Sequence, residues 1–160
     1  MRACLALIAF AFSAPVAAQN VVNEATVSTD AALQIASAAL AQCRQDGQKV
    51  TVSVVDHAGR EKIRVRDDGA SPHSEVHAFR KAYTALTYKM TSGDYGKRAA
   101  EQRIMGPQLL PNISGAAGGV PIRSGNAVIG AVGVSGTPGA AGGGAHDAQC
   151  AEAGIAKVKF

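Results

Sequence analysis

Two widely separated stretches of this chain each read as a pair of strands closed by a tight turn. Lys49 to Asp56 sets Val50, Val52 and Val54 against Thr51, Ser53 and Val55. Asp56-His57-Ala58-Gly59 turns, and Arg60 to Asp67 returns as a second strand. Val120 to Arg123 and Ala127 to Val134 repeat the arrangement around Ser124-Gly125-Asn126. Helical periods surround these hairpins. Ser28 or Thr29 can cap a helix to about Asp46, with Ala32, Ile35, Ala36, Ala39, Leu40 and Cys43 as its apolar stripe and Gly47 as its stop. After a loop from Asp67, Ser71 caps and Pro72 opens a helix to about Met90, with Val76, Phe79, Tyr83, Leu86 and Met90 predicted to face the core. A second helical piece reaches about Arg103, and a last helix runs from about His146 to Lys157. The order of helix, hairpin, helices, hairpin, helix predicts an α+β domain, an antiparallel sheet with helices packed on it. Gly106 to Gly119 reads as a long loop and Ser135 to Ala145 as a flexible one.

The domain does not use the whole chain. Arg2, the apolar run Ala3 to Ser13 and the small residues Val16-Ala17-Ala18 have the form of a secretory signal peptide. Cleavage near Ala18 removes residues 1–18 of 160 and leaves a single domain, 19–160, of 142 residues. The expected location is periplasmic or secreted. The leader is shorter than the roughly 17–25 apolar residues a membrane span needs, and charges or glycines interrupt every later apolar run, so no membrane insertion is expected. With Arg2 gone, 15 basic and 12 acidic residues remain, and no run of five like charges occurs. Charge therefore gives no sign of nucleic-acid binding. Cys43 and Cys150 also remain, either as a disulfide or as two buried thiols. A zinc site would want more ligands at closer spacing.

Several chemistries have no motif here. The chain lacks Gly-Lys-Ser/Thr, a dinucleotide fingerprint, Cys-x-x-Cys-His and Gly-x-Ser-x-Gly. Ser135 follows a strand in Val-Ser-Gly without the nucleophile-elbow motif, and no nucleophile–base pair is readable. Alternation places Arg60, Lys62, Arg64 and Arg66 on one strand face, with Glu61, Ile63 and Val65 on the other. The cationic face is read as a solvated sheet surface, or as an anion site or subunit interface. His73 and His77 fall one turn apart on one helix face, in line with Lys81 and Thr84. Two histidines make half a zinc site, whereas haem iron needs only one or two protein ligands. The alternative for each is an exposed helix face. His57 in a turn and His146 at a helix start read as caps or exposed residues.

Six segments occur in an order that resembles the GlcG/HbpS family. They are Val54-Val55-Asp56-His57-Ala58-Gly59, Asp68-Gly69-Ala70, Arg80-Lys81-Ala82-Tyr83-Thr84-Ala85, Gly118-Gly119-Val120-Pro121-Ile122, Gly130 to Gly136, and Cys150-Ala151-Glu152-Ala153-Gly154-Ile155. The resemblance covers nearly all of residues 19–160. It implies a profilin-like α+β fold, a homo-oligomer and, in some members, haem binding. The extracellular member that names the family is linked to haem degradation and a redox-sensing partner, and a related domain ends some corrinoid adenosyltransferases. Pro72-His73-Ser74 before the Lys81 motif resembles an exported subgroup. On this reading the iron ligand is His73, and His77 is a second ligand or a polar pocket wall. Arg80 and Lys81 are candidates for the haem propionates, and Gly118 and Gly119 would let a flat ligand approach the backbone. The expected function is an exported haem-binding protein that sequesters, senses or degrades haem. The alternative is a non-catalytic subunit that binds another small, anionic molecule or docks a partner. An enzyme acting on a small anionic metabolite is a third possibility. The low aromatic content, 4%, weighs against a large haem slot.

Overall fold

The computed structural model describes residues 21–104, 106–138 and 143–160. The expected leader and residues 139–142 of the second glycine-rich loop lie outside the described residues. The elements follow in the order α1 (Thr29–Gln45), β1 (Thr51–Asp56), β2 (Glu61–Arg66), α2 (Ser74–Tyr88), α3 (Ser92–Glu101), a short 3-10 turn (Gly106–Leu109), β3 (Gly119–Ser124), β4 (Ala127–Ser135) and α4 (Gly143–Ile155). The two hairpins join through an antiparallel β1–β4 pair into one sheet of order β2-β1-β4-β3. The predicted α+β architecture is therefore what forms. Among the described residues no helix is long and apolar enough to cross a membrane.

The sheet has two different faces. Val52, Val54, Val132 and Val134 join Ile35, Ala36, Ala39 and Leu40 of α1 and Ala151 of α4 in the main core. Cys43 and Cys150 are bonded within that core, 107 residues apart in sequence and 5.6 Å apart at Cα. The other face of the central strands carries Thr51, Ser53 and Val55 on β1 opposite Ser135, Gly133 and Ala131 on β4. These small residues admit α2, whose buried side includes Ser74, Ala78, Lys81, Ala82 and Ala85. The approach is so close that a Cβ on Gly133 would collide with the Ala78 carbonyl. Thr51 Oγ1 and Ser74 Oγ share a hydrogen bond of 2.7 Å across this seam.

This seam corrects the predicted core stripe of α2. Val76 is 61% exposed. Phe79 and Leu86 flank the small-residue seam, while Tyr83 and Met90 pack with Tyr95 and Ile113 in a separate cluster. A helix pressed on glycine and serine cannot place large side chains between itself and the sheet. The cap is corrected too. Ser28 caps α1 as predicted, but α2 has no side-chain cap, and Ser71 instead receives the Ser74 N–H on its carbonyl.

A register shift corrects β2 as well. Val54 pairs with Ile63 but Val55 pairs with Glu61, so Lys62 is an extra residue and Glu61 moves to the Arg64 side. There it accepts from Ser53 Oγ at 2.6 Å and from Arg64 Nε at 2.9 Å. Arg66 meets Glu75 at 3.0 Å and Arg60 lies 3.8 Å from Asp56. The expected row of four cations is thus interrupted and locally neutralised.

Candidate functional site

α2, the end of β4 and the start of α4 enclose a pocket of about 560 Å³. Its size falls within the ordinary range for small-molecule sites. α2 supplies His73, His77 and Lys81, and the last strand residue supplies Ser135. Asp147 closes the wall from the first turns of α4. The small α2 seam explains this placement, because it lowers successive turns of α2 onto the end of β4.

The floor is an ion pair. Lys81 Nζ donates to Asp147 Oδ2 at 2.7 Å and to the Val134 carbonyl at 3.1 Å. Both side chains are 3% exposed. Burial pushes the ammonium down and the carboxyl up, and their mutual attraction opposes both shifts. Asp147 Oδ1 also accepts the Thr137 N–H at 3.2 Å, which ties the strand exit to α4.

The two histidines differ sharply. His77 is half-buried, with Nε2 2.9 Å from Ser114 Oγ and Nδ1 3.3 Å from Ser135 Oγ. Burial lowers its pKa to about 4, helped by the Lys81 and Arg80 cations and by His73. His77 is therefore a neutral imidazole at pH 7, oriented by two hydroxyls. His73 is exposed at the pocket mouth, and its ring has no hydrogen-bond partner among the described residues. Its centroid lies 6.4 Å from that of His77. Side chains one turn apart on one helix project in the same direction, so the two imidazoles line the same pocket together.

The other expected site residues are placed differently. Arg80 does not line this pocket; its Nη2 donates to the Ile113 carbonyl at 2.6 Å. A Cβ on Gly119 would collide with the Lys81 carbonyl, and one on Gly118 would meet Val134 and Lys81. What approaches these glycines so closely is the protein itself. Their close packing fixes the loop before β3 against α2 and β4. Sequence reasoning missed Asp147, and it gave Ser135 little weight. The only local signal for Asp147 is a charge among Ala145, Ala148 and Ala151. Its partner lies 66 residues away.

Similar proteins carry the same fold. The model of the HbpS-like family of haem-degrading proteins matches residues 27–156. HbpS of Streptomyces reticuli, in a doubly substituted form, superposes with a TM-score of 0.82 at 33% identity, covering 92% of this chain and 99% of that one. Klebsiella pneumoniae ORFY, placed in the DUF336 family, gives 0.78 at 28% identity over 86% of this chain and 94% of its own. PduOC, solved as a haem complex, gives 0.75 at 26% identity over 83% and 95% respectively. No curated protein matches the chain. This chain belongs to the HbpS-like family of haem-degrading proteins.

Proposed function

We propose that the chain is an exported haem-binding protein that holds haem in the α2–β4–α4 pocket with His73 as the protein ligand to iron. The observation that carries this reading is the exposed His73 imidazole, without a hydrogen-bond partner among the described residues, at the mouth of a pocket of about 560 Å³. Relatives that degrade haem or were solved with it support the choice of ligand. The Cys43–Cys150 disulfide supports export, because such bonds persist in oxidising compartments. We further propose a leader cleaved near Ala18 and a homo-oligomeric state, the latter measurable by light scattering.

When bound, haem supplies the iron that any redox chemistry or degradation of the macrocycle requires. The chain's own residues do the holding. His73 offers a lone pair without first giving up a hydrogen bond. Neutral His77 forms a polar wall, and taking the iron instead would cost it a hydroxyl contact. Lys81 can attract a propionate, but Asp147 already balances its charge, so its pull is weaker than that of a free cation. Haem titration of purified protein tests the reading. We expect a Soret shift in the wild type and a changed spectrum with at least about tenfold weaker binding in His73→Ala. No shift in the wild type refutes haem binding, and an unchanged variant spectrum refutes His73 as ligand.

A second reading rests on the pocket's chemistry. Serine, threonine, alanine and glycine dominate the lining, and Phe and Tyr are absent from it among the described residues. Such a wall suits a small polar or anionic molecule. Thermal stabilisation by a small carboxylate, without any haem-dependent shift, would favour that alternative.

A further inference from the structure

The disulfide has a histidine beside it that the disulfide does not need. His146 lies one turn before Cys150 on α4, and the ligand atoms of Cys43, His146 and Cys150 all fall within 4.8 Å of one another. His146 Nε2 is 3.1 Å from Asp46 Oδ2, at the C-terminal cap of α1. With Nε2 on that carboxylate, Nδ1 is the nitrogen left for a metal. A carboxylate behind an imidazole is the usual support of a metal-binding histidine, since it fixes the tautomer and raises basicity.

We propose that Cys43, His146 and Cys150 form a zinc site when the disulfide is reduced, with the fourth position open to water. Two thiolates and one imidazole are a known three-ligand zinc set. The chemistry balances with a dithiol reductant. Its two thiols deliver two electrons and two protons, the Cys43–Cys150 bond breaks to two thiols, and the reductant leaves as its own disulfide. Zn2+ then forms two Zn–S bonds and one Zn–N bond, and the two thiol protons go to solvent. Tetrahedral zinc with bonds of about 2.3 Å sets the sulfurs about 3.8 Å apart. The 5.6 Å Cα separation accommodates that with side-chain rotation. Both states tie α1 to α4. Cys150 and Asp147 share a face of α4, so either link also steadies the pocket wall.

The site is separate from the haem pocket, and its test does not depend on haem. The full chain is used with Cys4→Ser, so that only the pair contributes thiols. It is reduced with a water-soluble phosphine, and two free thiols are confirmed in denaturant. Co2+ serves as the optical probe and Zn2+ as its competitor. Expected are thiolate-to-cobalt charge-transfer bands with one metal per reduced chain, displacement by Zn2+, and none of these in the oxidised chain. His146→Ala and Asp46→Asn should each weaken Zn2+ binding at least about tenfold. Absence of the charge-transfer bands in the reduced chain overturns the proposal, as does equal affinity in His146→Ala. If reduction unfolds the chain, recovery of helical circular dichroism on adding Zn2+ supports the site, and failure to recover counts against it.

Discussion

Replacing Lys81 with Met separates the two roles of that side chain, because Met keeps the packed stem and removes the ammonium. At 2.7 Å and an effective dielectric constant near 20, the Lys81–Asp147 attraction amounts to about 6 kcal/mol. Desolvating the two charges costs several kcal/mol for each ion, so the intact pair is close to neutral against an apolar pair. Breaking it is different. Lys81→Met leaves a carboxylate with the Thr137 N–H but no counter-charge, at a cost of about 3–5 kcal/mol. Asp147→Asn keeps the acceptor for Thr137 and strands the ammonium, with a similar loss. The double variant removes both charges, so its loss should fall below the sum of the singles by at least about 2 kcal/mol. Urea unfolding followed by far-UV circular dichroism at pH 7 measures all three. The pH adds a sign. Asp147 already has a raised carboxyl pKa, which means the unfolded chain releases that proton more readily. The penalty in Lys81→Met should therefore shrink as pH falls and Asp147 takes up its proton. Additivity within about 0.5 kcal/mol, or a Lys81→Met cost below about 1 kcal/mol, would refute the reasoning.

Other perturbations test the frame around the pocket. Gly133→Ala should cost about 3 kcal/mol or more in the same assay, because its Cβ meets the α2 backbone, whereas Gly47→Ala, in open space at φ +73, should cost about 1 kcal/mol. Replacing both Cys43 and Cys150 with Ser opens a loop of 107 residues and should cost about 4–5 kcal/mol relative to the oxidised chain. His77 has a depressed folded pKa of about 4 against 6.5, so its contribution is complete above the unfolded value and is lost as pH falls from 6.5 toward 4. After discounting for its partial exposure, that loss is about 1–2 kcal/mol, and His77→Gln should flatten the dependence of the urea midpoint on pH across this window.

The elements were legible because each obeys a local rule. The stripe of α1 from Ala32 to Cys43 is buried as its period requires, and Ser28 provides its cap. Both hairpins form where alternation and turn residues place them. What failed was the choice of face on α2. A hydrophobic-moment argument sends the largest apolar residues inward. Here the facing strands offer glycine, alanine and serine, and no single-helix pattern reveals what the sheet opposite will tolerate. The same limit applies to β2. One extra residue reverses the side taken by Glu61, and alternation has no means of detecting a bulge.

The site divides along the same line. His73, His77 and Lys81 were found together because helical spacing brings them together, and the fold keeps them on one wall of the pocket. Arg80 follows Phe79 on the same helix, yet one residue of rotation, about 100°, turns it toward Ile113. The partners that define the chemistry are all distant in sequence. Asp147 neutralises Lys81, Ser114 and Ser135 orient His77, and Asp46 holds His146 beside a disulfide whose halves are 107 residues apart. Spacing along the chain argued against a metal at the cysteines because it counted ligands only along the sequence. Once α1 and α4 lie side by side, an imidazole one helical turn from Cys150 joins the two cysteines. The helix period that revealed His73 and His77 also relates His146 to Cys150, and only the packing of α1 adds Cys43 and Asp46 to that pair.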